Sequence, residues 1–192
     1  MNICVYGASS RTIDAKFTDA GYELGFKLAK RGYGLVFGGG DNGMMGAVAR
    51  GAHEGGGKII GVAPSFFNVD GVLYPHCDNF IYTTTMRRRK QKMEDLSGAF
   101  IVSPGGIGTF EEFFEILTLK QLARTEKPLI ILNTYGYYNA LLSMLQHTVE
   151  TSFMTKDTLD LIHITDSADD ALDYIANYHA QKIDVKKLRN LY

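Results

Sequence analysis

The sequence predicts an α/β fold, a doubly wound parallel sheet of about seven strands flanked by helices in a single domain. Three observations point there. Short apolar runs alternate with helical patterns along the chain. Several runs are apolar throughout, as strands covered on both faces are. Glycine-rich turns follow these runs where a strand would hand over to a helix.

Taken in order, the strand-like runs are residues 2–6, 34–37, 58–62, 79–82, 99–103, 129–132 and 161–164. Between them, apolar spacing of three and four residues predicts helices over 14–31, 44–55, 86–97, 109–124, 137–150 and 167–178. Strand–helix alternation implies parallel pairing through right-handed crossovers. Ligands in such sheets sit beyond the carboxyl ends of the strands, where the strand order reverses. Attention therefore falls on the strand-ending loops Gly7-Ala8-Ser9-Ser10, Gly38-Gly39-Gly40-Asp41-Asn42-Gly43 and Pro104-Gly105-Gly106-Ile107-Gly108-Thr109. No internal repeat or low-complexity linker divides the chain. Residues 1–180 read as the domain and 181–192 as a tail, either a solvated helix or a disordered end.

The 192 residues suffice to bury most of their apolar surface without staples. Twenty basic and 21 acidic residues leave a formal charge of −1, which argues against a nucleic-acid or anionic-membrane partner. No apolar run reaches the ~18 residues of a membrane span, and the chain opens directly in a strand-like run. The expectation is a cytoplasmic protein with Cys4 and Cys77 reduced. The cysteines form no CxxC, and the five histidines show no i, i+4 pairing, so no metal site is expected.

The first glycine loop matches GxGxxG, which invites a dinucleotide reading. That reading needs an acidic residue about 20 positions further on, and Gly61-Val62-Ala63-Pro64 supplies none. Two alternatives stand. One is a tight turn with close helix–strand packing; the other is a backbone cradle for a phosphate or ribose. The second loop opens a helix, whose amino end offers free N–H groups and partial positive charge, an anion site suited to a 5′-phosphate. Thr109 serves there as N-cap or as phosphate ligand. Glu111 and Glu112 fall in the first turn, where interaction with the helix dipole would account for them. At about 100° per residue, Glu111, Glu115 and Thr118 share a polar stripe with Glu112 at its edge. Most of the remaining circumference is apolar, so this helix is buried on more than one side, in the core or against another subunit.

The basic run Arg87-Arg88-Arg89-Lys90 would ordinarily be a solvated face. The inward stripe of its helix, however, is Met86, Met93, Leu96 and Ser97, and Arg89 and Lys90 point into it. Two inward cations need anionic partners. Glu111, Glu112 or Glu115 could pair with them, or one cation could meet a ligand's phosphate or leaving group. Arginine suits bidentate oxyanion contact better than lysine.

Together, Gly38-Gly39-Gly40-x-x-Gly43-x-Met45-Gly46, Met86-x-x-Arg89-Lys90 and Pro104-Gly105-Gly106-x-Gly108-Thr109-x-x-Glu112 resemble the Lonely Guy (LOG) family. Its members are cytokinin riboside 5′-monophosphate phosphoribohydrolases, often mislabelled lysine decarboxylases. The resemblance runs from about Met1 to about Tyr178. It implies a Rossmann-like fold, a homodimer with sites near the subunit interface, and hydrolysis of a base–ribose bond in AMP or an N6-modified AMP. Carried over by position, Arg89 and Glu112 become the catalytic pair. Lys90, Gly106, Ile107, Gly108, Thr109, Phe110, Glu111 and Thr118 become substrate contacts, with Gly105, Gly39 and Ser9 beside them. Arg87 stands where many members have histidine, and in the unusual loop 64–76 a further acidic contact falls to Asp70. No cofactor or metal is implied.

Two rivals remain from the residues. Molybdenum-cofactor carrier proteins resemble this fold and bind a nucleotide-like ligand without cleaving it; a cation and a carboxylate in one pocket favour the enzyme. Lysine decarboxylation requires pyridoxal phosphate on a lysine, and Lys90 is the inward-facing candidate.

Overall fold

The computed structural model describes residues 1–67, 72–180 and 184–188. In chain order these form β1 (Asn2–Tyr6), α1 (Ala15–Lys30), β2 (Gly34–Phe37), α2 (Gly43–Glu54), β3 (Ile59–Pro64), β4 (Asn79–Thr83), α3 (Met86–Leu96), β5 (Ala99–Val102), α4 (Ile107–Gln121), β6 (Leu129–Leu132), α5 (Asn139–Glu150), α6 (Lys156–Leu159), β7 (His163–Thr165), α7 (Ala168–Ala176) and α8 (Val185–Leu188). Short 3₁₀ turns occupy Ser65–Phe67 and Thr134–Gly136.

Because strand side chains alternate between faces, β1 sends Ile3 and Val5 into one apolar layer and Cys4 and Tyr6 into another. The first layer takes Leu24 and Leu28 of α1, Val48 and Ala52 of α2, and Leu172 and Ile175 of α7. The second takes Met93 of α3, Phe113 and Ile116 of α4, and Leu145 of α5. Two covered faces explain why the central strands are apolar at every position. All strand pairs are parallel, in the order β4-β3-β2-β1-β5-β6-β7. The order reverses between β1 and β5, where Ile3 pairs with Leu35 on one side and with Ala99 on the other. The loops after β1 and β5 turn to opposite faces and open a crevice at that point. No helix among the described residues is long and apolar enough to cross a membrane.

Several boundaries differ from the expected ones, each for a local reason. Helix α4 begins at Ile107, with Gly106 as N-cap, and stops at Gln121 because Ala123 takes a left-handed φ of 51°. Helix α5 begins at Asn139 because Tyr135 and Gly136 turn through left-handed conformations, φ 54° and 70°. Strand β7 is displaced to His163–Thr165, its register set by pairing with Ile130–Leu132. Within the tail, Val185–Leu188 forms a helical turn whose Leu188 is buried, and the Leu188 carbonyl accepts from Gln121 Nε2 at 3.2 Å.

Helices α1 and α2 cross closely because glycines line the contact. A Cβ at Gly25 would lie 2.0 Å from the Val48 carbonyl oxygen, and one at Gly51 would lie 2.0 Å from that of Tyr22. Backbone cannot yield as a flexible side chain does. Gly25→Ala is expected to cost about 1–3 kcal/mol of stability, the range for overpacking a close contact. Urea unfolding monitored by far-ultraviolet circular dichroism measures this; an unchanged midpoint would show that the helices separate freely.

Candidate active site

The residues of interest meet at the crevice. Helix α3 is started by Thr85, whose hydroxyl accepts from the Arg88 N–H at 3.2 Å. One turn in, Arg89 lies on the inward stripe with Met93 and is 7% exposed, while Arg87, Arg88, Gln91 and Asp95 face solvent. The Arg89 Nε donates to the Val62 carbonyl at 3.1 Å, and its Nη1 donates to Glu112 Oε1 at 2.7 Å. Both side chains of this pair are 8% exposed. The guanidinium rests on Gly38, where a Cβ would stand 2.1 Å from Nη2. The first glycine loop is thus a close-packing device: Gly38 makes room for Arg89, Gly39 (φ 79°) lies against the Phe80 ring, and Gly43 (φ 60°) abuts the Ala8 and Ser10 carbonyls.

Burial pushes the Glu112 carboxyl above its ordinary range, and the adjacent Arg89 charge and hydrogen bond pull the other way. Beneath the pair, β1 contributes Tyr6 and Cys4. Burial and the nearby Glu112 charge raise both, so each stays protonated and neutral.

The pair opens onto a cavity of about 650 Å³. One wall is the loop after β1, Gly7 to Arg11; the facing wall is the amino end of α4, Gly106 to Thr109, with Glu112 one turn deeper. Gly38, Gly40 and Asn42 close a third side. Met45, Met86, Ile107, Phe67, Val72 and Leu73 make up an apolar part of the lining. No side chain caps Gly106, so the first-turn N–H groups of α4 are available to a ligand. Thr109 lies in that first turn rather than at the cap, with its hydroxyl seated where a Cβ on Gly105 would come within 2.1 Å. With α4 starting at Ile107, Glu111 and Glu112 fall in the second turn, where a helix-dipole explanation loses force.

Of the expected site residues, Arg89, Glu112, Ser9, Gly106, Ile107, Gly108 and Thr109 line this cavity. The others lie outside its wall. Lys90 bonds Glu111 Oε1 at 2.7 Å and is ion-paired with Glu115. Burial draws the Lys90 ammonium down, but the two carboxylates outweigh that and hold it above its usual value. Thr118 is exposed, and Phe110 packs edge-to-face on Tyr138 with ring centroids 6.2 Å apart. Gly105 supports Thr109 from behind, and Gly39 supports the first loop. Asp70 lies outside the described residues. The cavity also recruits Arg11, Asn42 and Leu73, which sequence reasoning did not single out. Arg11 follows directly on a loop that strand-end logic had marked. Leu73 arrives through an isolated antiparallel bridge to Gly40, a long-range pairing with no local signal.

The fold and crevice define a Rossmann-like α/β protein with a polar–apolar pocket at the sheet's switch point and an ion pair on its wall. A family model described as "Possible lysine decarboxylase" matches residues 45–175. Cytokinin riboside 5′-monophosphate phosphoribohydrolase LOG3 of Arabidopsis thaliana is 35% identical over 176 residues, spanning 92% of this chain and 82% of the relative. The LOG1 protein of the same plant, of the same description, is 35% identical over 187 residues, spanning 96% and 88%. The chain belongs to the LOG family. Among solved structures, the molybdenum cofactor binding protein of Rippkaea orientalis superposes with a TM-score of 0.69 at 24% identity, covering 91% of this chain and 94% of that one. That likeness establishes the shared fold.

Removing one member of the buried pair strands the other. Glu112→Ala is expected to cost about 3–5 kcal/mol, and replacing Arg89 and Glu112 together by apolar residues should recover part of the loss. Urea titration of the three proteins tests this; equal stability of the single variant and wild type would show the pair to be solvated.

Proposed function

We propose that this chain hydrolyses the N-glycosidic bond of a purine nucleoside 5′-monophosphate, AMP or an N6-modified AMP, giving free base and ribose 5-phosphate. The observation that carries the reading is the buried Arg89–Glu112 contact of 2.7 Å on the wall of a cavity whose other side is a helix amino end. The names borne by its relatives agree with it.

The helix α4 amino end, with Gly106, Ile107, Gly108 and Thr109, receives the 5′-phosphate through backbone N–H groups and the helix dipole. Phosphate binding then positions the sugar over Glu112. As the C–N bond lengthens, its electron pair leaves with the base and cationic character develops on the ribose. The Glu112 carboxylate stabilises that cation and polarises the water whose oxygen bonds to the anomeric carbon. Arg89 holds Glu112 in register and places positive charge near the departing base. A guanidinium keeps its proton, so the proton that reaches the base comes from water or a carboxyl group. The apolar lining from Met45, Met86 and Leu73 suits the purine and an apolar N6 substituent. No lysine is among the described residues lining the cavity, which leaves a lysine-bound aldimine without an anchor. The same reading takes the protein as a cytoplasmic homodimer. The 83% exposure of Ile107 and the half-buried Phe110 and Phe114 on α4 support a covering subunit.

Incubation with a panel of 5′-monophosphates, followed by chromatography for free base, tests the assignment. Arg89→Ala and Glu112→Ala are each expected to lower kcat by roughly 10²–10⁴-fold, the range for losing a positioned catalytic group, while still binding ribose 5-phosphate. Wild type releasing no base from any of them would leave a binding protein instead. The pH profile is a second check. The working form of Glu112 is ionised, and burial has raised its affinity for a proton. Activity should therefore fall on acidification at a pH above the ordinary carboxylate range. An acidic limb within or below that range would count against Glu112 in this role.

A further inference from the structure

The connection between β6 and α5 is built with unusual care for a surface loop. Tyr135 and Gly136 both take left-handed backbone, φ 54° and 70°, and the former is a conformation that a bulky residue holds only when its surroundings impose it. Asn133 imposes it. Its side-chain oxygen accepts from the Tyr138 N–H at 2.7 Å, its side-chain nitrogen donates to Asn139 Oδ1 at 2.8 Å, and its carbonyl accepts from the Gly136 N–H at 2.9 Å. The braced turn delivers two consecutive tyrosines to one target. Tyr137 Oη donates to the Gly105 carbonyl at 2.7 Å, and Tyr138 Oη donates to the Ser103 carbonyl at 2.7 Å. Between them, the Pro104 carbonyl accepts from the Ala8 N–H at 3.1 Å. Three successive carbonyls of the second glycine loop are thus held by protein donors. From the next residue onward the backbone lines the cavity with the uncapped amino end of α4.

We infer that Tyr137 and Tyr138 are positioning residues for the anion site: their hydroxyls hold the Ser103 and Gly105 carbonyl dipoles in place, so that the cradle at Gly106–Gly108 presents N–H groups to a phosphomonoester. A carbonyl oxygen turned toward a dianionic phosphate repels it, whereas an amide turned toward it attracts it. The rings divide the task. Tyr138 is 1% exposed and packs against Phe110 of α4. Tyr137 is 42% exposed and meets Phe17 edge-to-face at 5.7 Å, so its hydroxyl can be removed without opening the core. The inference rests on the proposed site for phosphate but not on the bond-breaking step.

The informative variant is Tyr137→Phe, with Tyr135→Phe on the same turn as control. Dissociation constants for ribose 5-phosphate are measured by calorimetry, alongside melting temperatures and kcat and KM for AMP. Tyr137→Phe is expected to weaken ribose 5-phosphate binding by about 3- to 10-fold, the worth of one neutral hydrogen bond. KM should rise to match, kcat should stay within about twofold, and the melting temperature should fall by no more than a few degrees, the cost of one part-buried hydrogen bond. Tyr135→Phe should match wild type in all four measurements. Tyr138→Phe should weaken binding similarly and also lower the melting temperature. Binding by Tyr137→Phe equal to wild type, or a wild type that binds no ribose 5-phosphate, overturns the inference. Intact binding with no base release from any 5′-monophosphate overturns the hydrolase reading and leaves this inference standing.

Discussion

A buried guanidinium–carboxylate contact organises this molecule. Two charges removed from water are tolerated only when each meets the other and the remaining polar atoms are satisfied. Arg89 therefore needs Glu112 on one nitrogen and the Val62 carbonyl on another. These demands fix the relation of α3 to α4 and of both to β3. They also dictate the composition of a loop that touches neither helix in sequence, because any side chain at Gly38 would occupy the space of the guanidinium. The low-dielectric floor of Tyr6, Cys4 and Met93 sharpens the requirement, since all three are buried and none carries a charge that could neutralise a stranded ion.

A second cationic centre lies one residue away and behaves differently. Lys90 turns to Glu111 and Glu115, whose side chains are 57% and 40% exposed. Lys90 itself is only 11% exposed, but water reaches both carboxylates, so the cluster adds less to stability than a fully dry pair, and it stands outside the cavity of a single chain. Adjacent residues on one helix thus serve different purposes because the helical advance of about 100° per residue separates what they face. Arginine takes the position whose carboxylate is dry, where a planar fork satisfies two acceptors at once, and lysine takes the one whose carboxylates reach water.

Much of the architecture was legible beforehand because its causes are local. Apolar runs such as Leu129–Leu132 are short enough to read as covered strands, and their alternation with helical spacing leaves few topologies. The inward turn of Arg89 and Lys90 followed from the Met86–Met93 stripe, for the same reason. Boundaries were less legible where tertiary contacts chose them. Helix α4 starts two residues before Thr109 because glycines beginning at Gly105 permit the close seat of the Thr109 side chain. Helix α5 starts late because Asn133 braces the preceding turn. Leu73 reached the cavity through a bridge to Gly40 that no spacing rule could foresee.

By itself, the sequence determined the sheet, its two covered faces, the loops that end its strands and the inward-facing cations of the basic helix. These depend on periodicity and on backbone freedom, which are properties of short stretches. Only the tertiary structure decided which carboxylate Arg89 meets and which of two neighbouring cations faces the cavity. It also decided which carbonyls the Tyr137 and Tyr138 hydroxyls restrain. Each of those outcomes is a distance between groups far apart in the chain. Burial alone makes such a distance matter, because only where water is excluded must every charge and dipole find a particular partner.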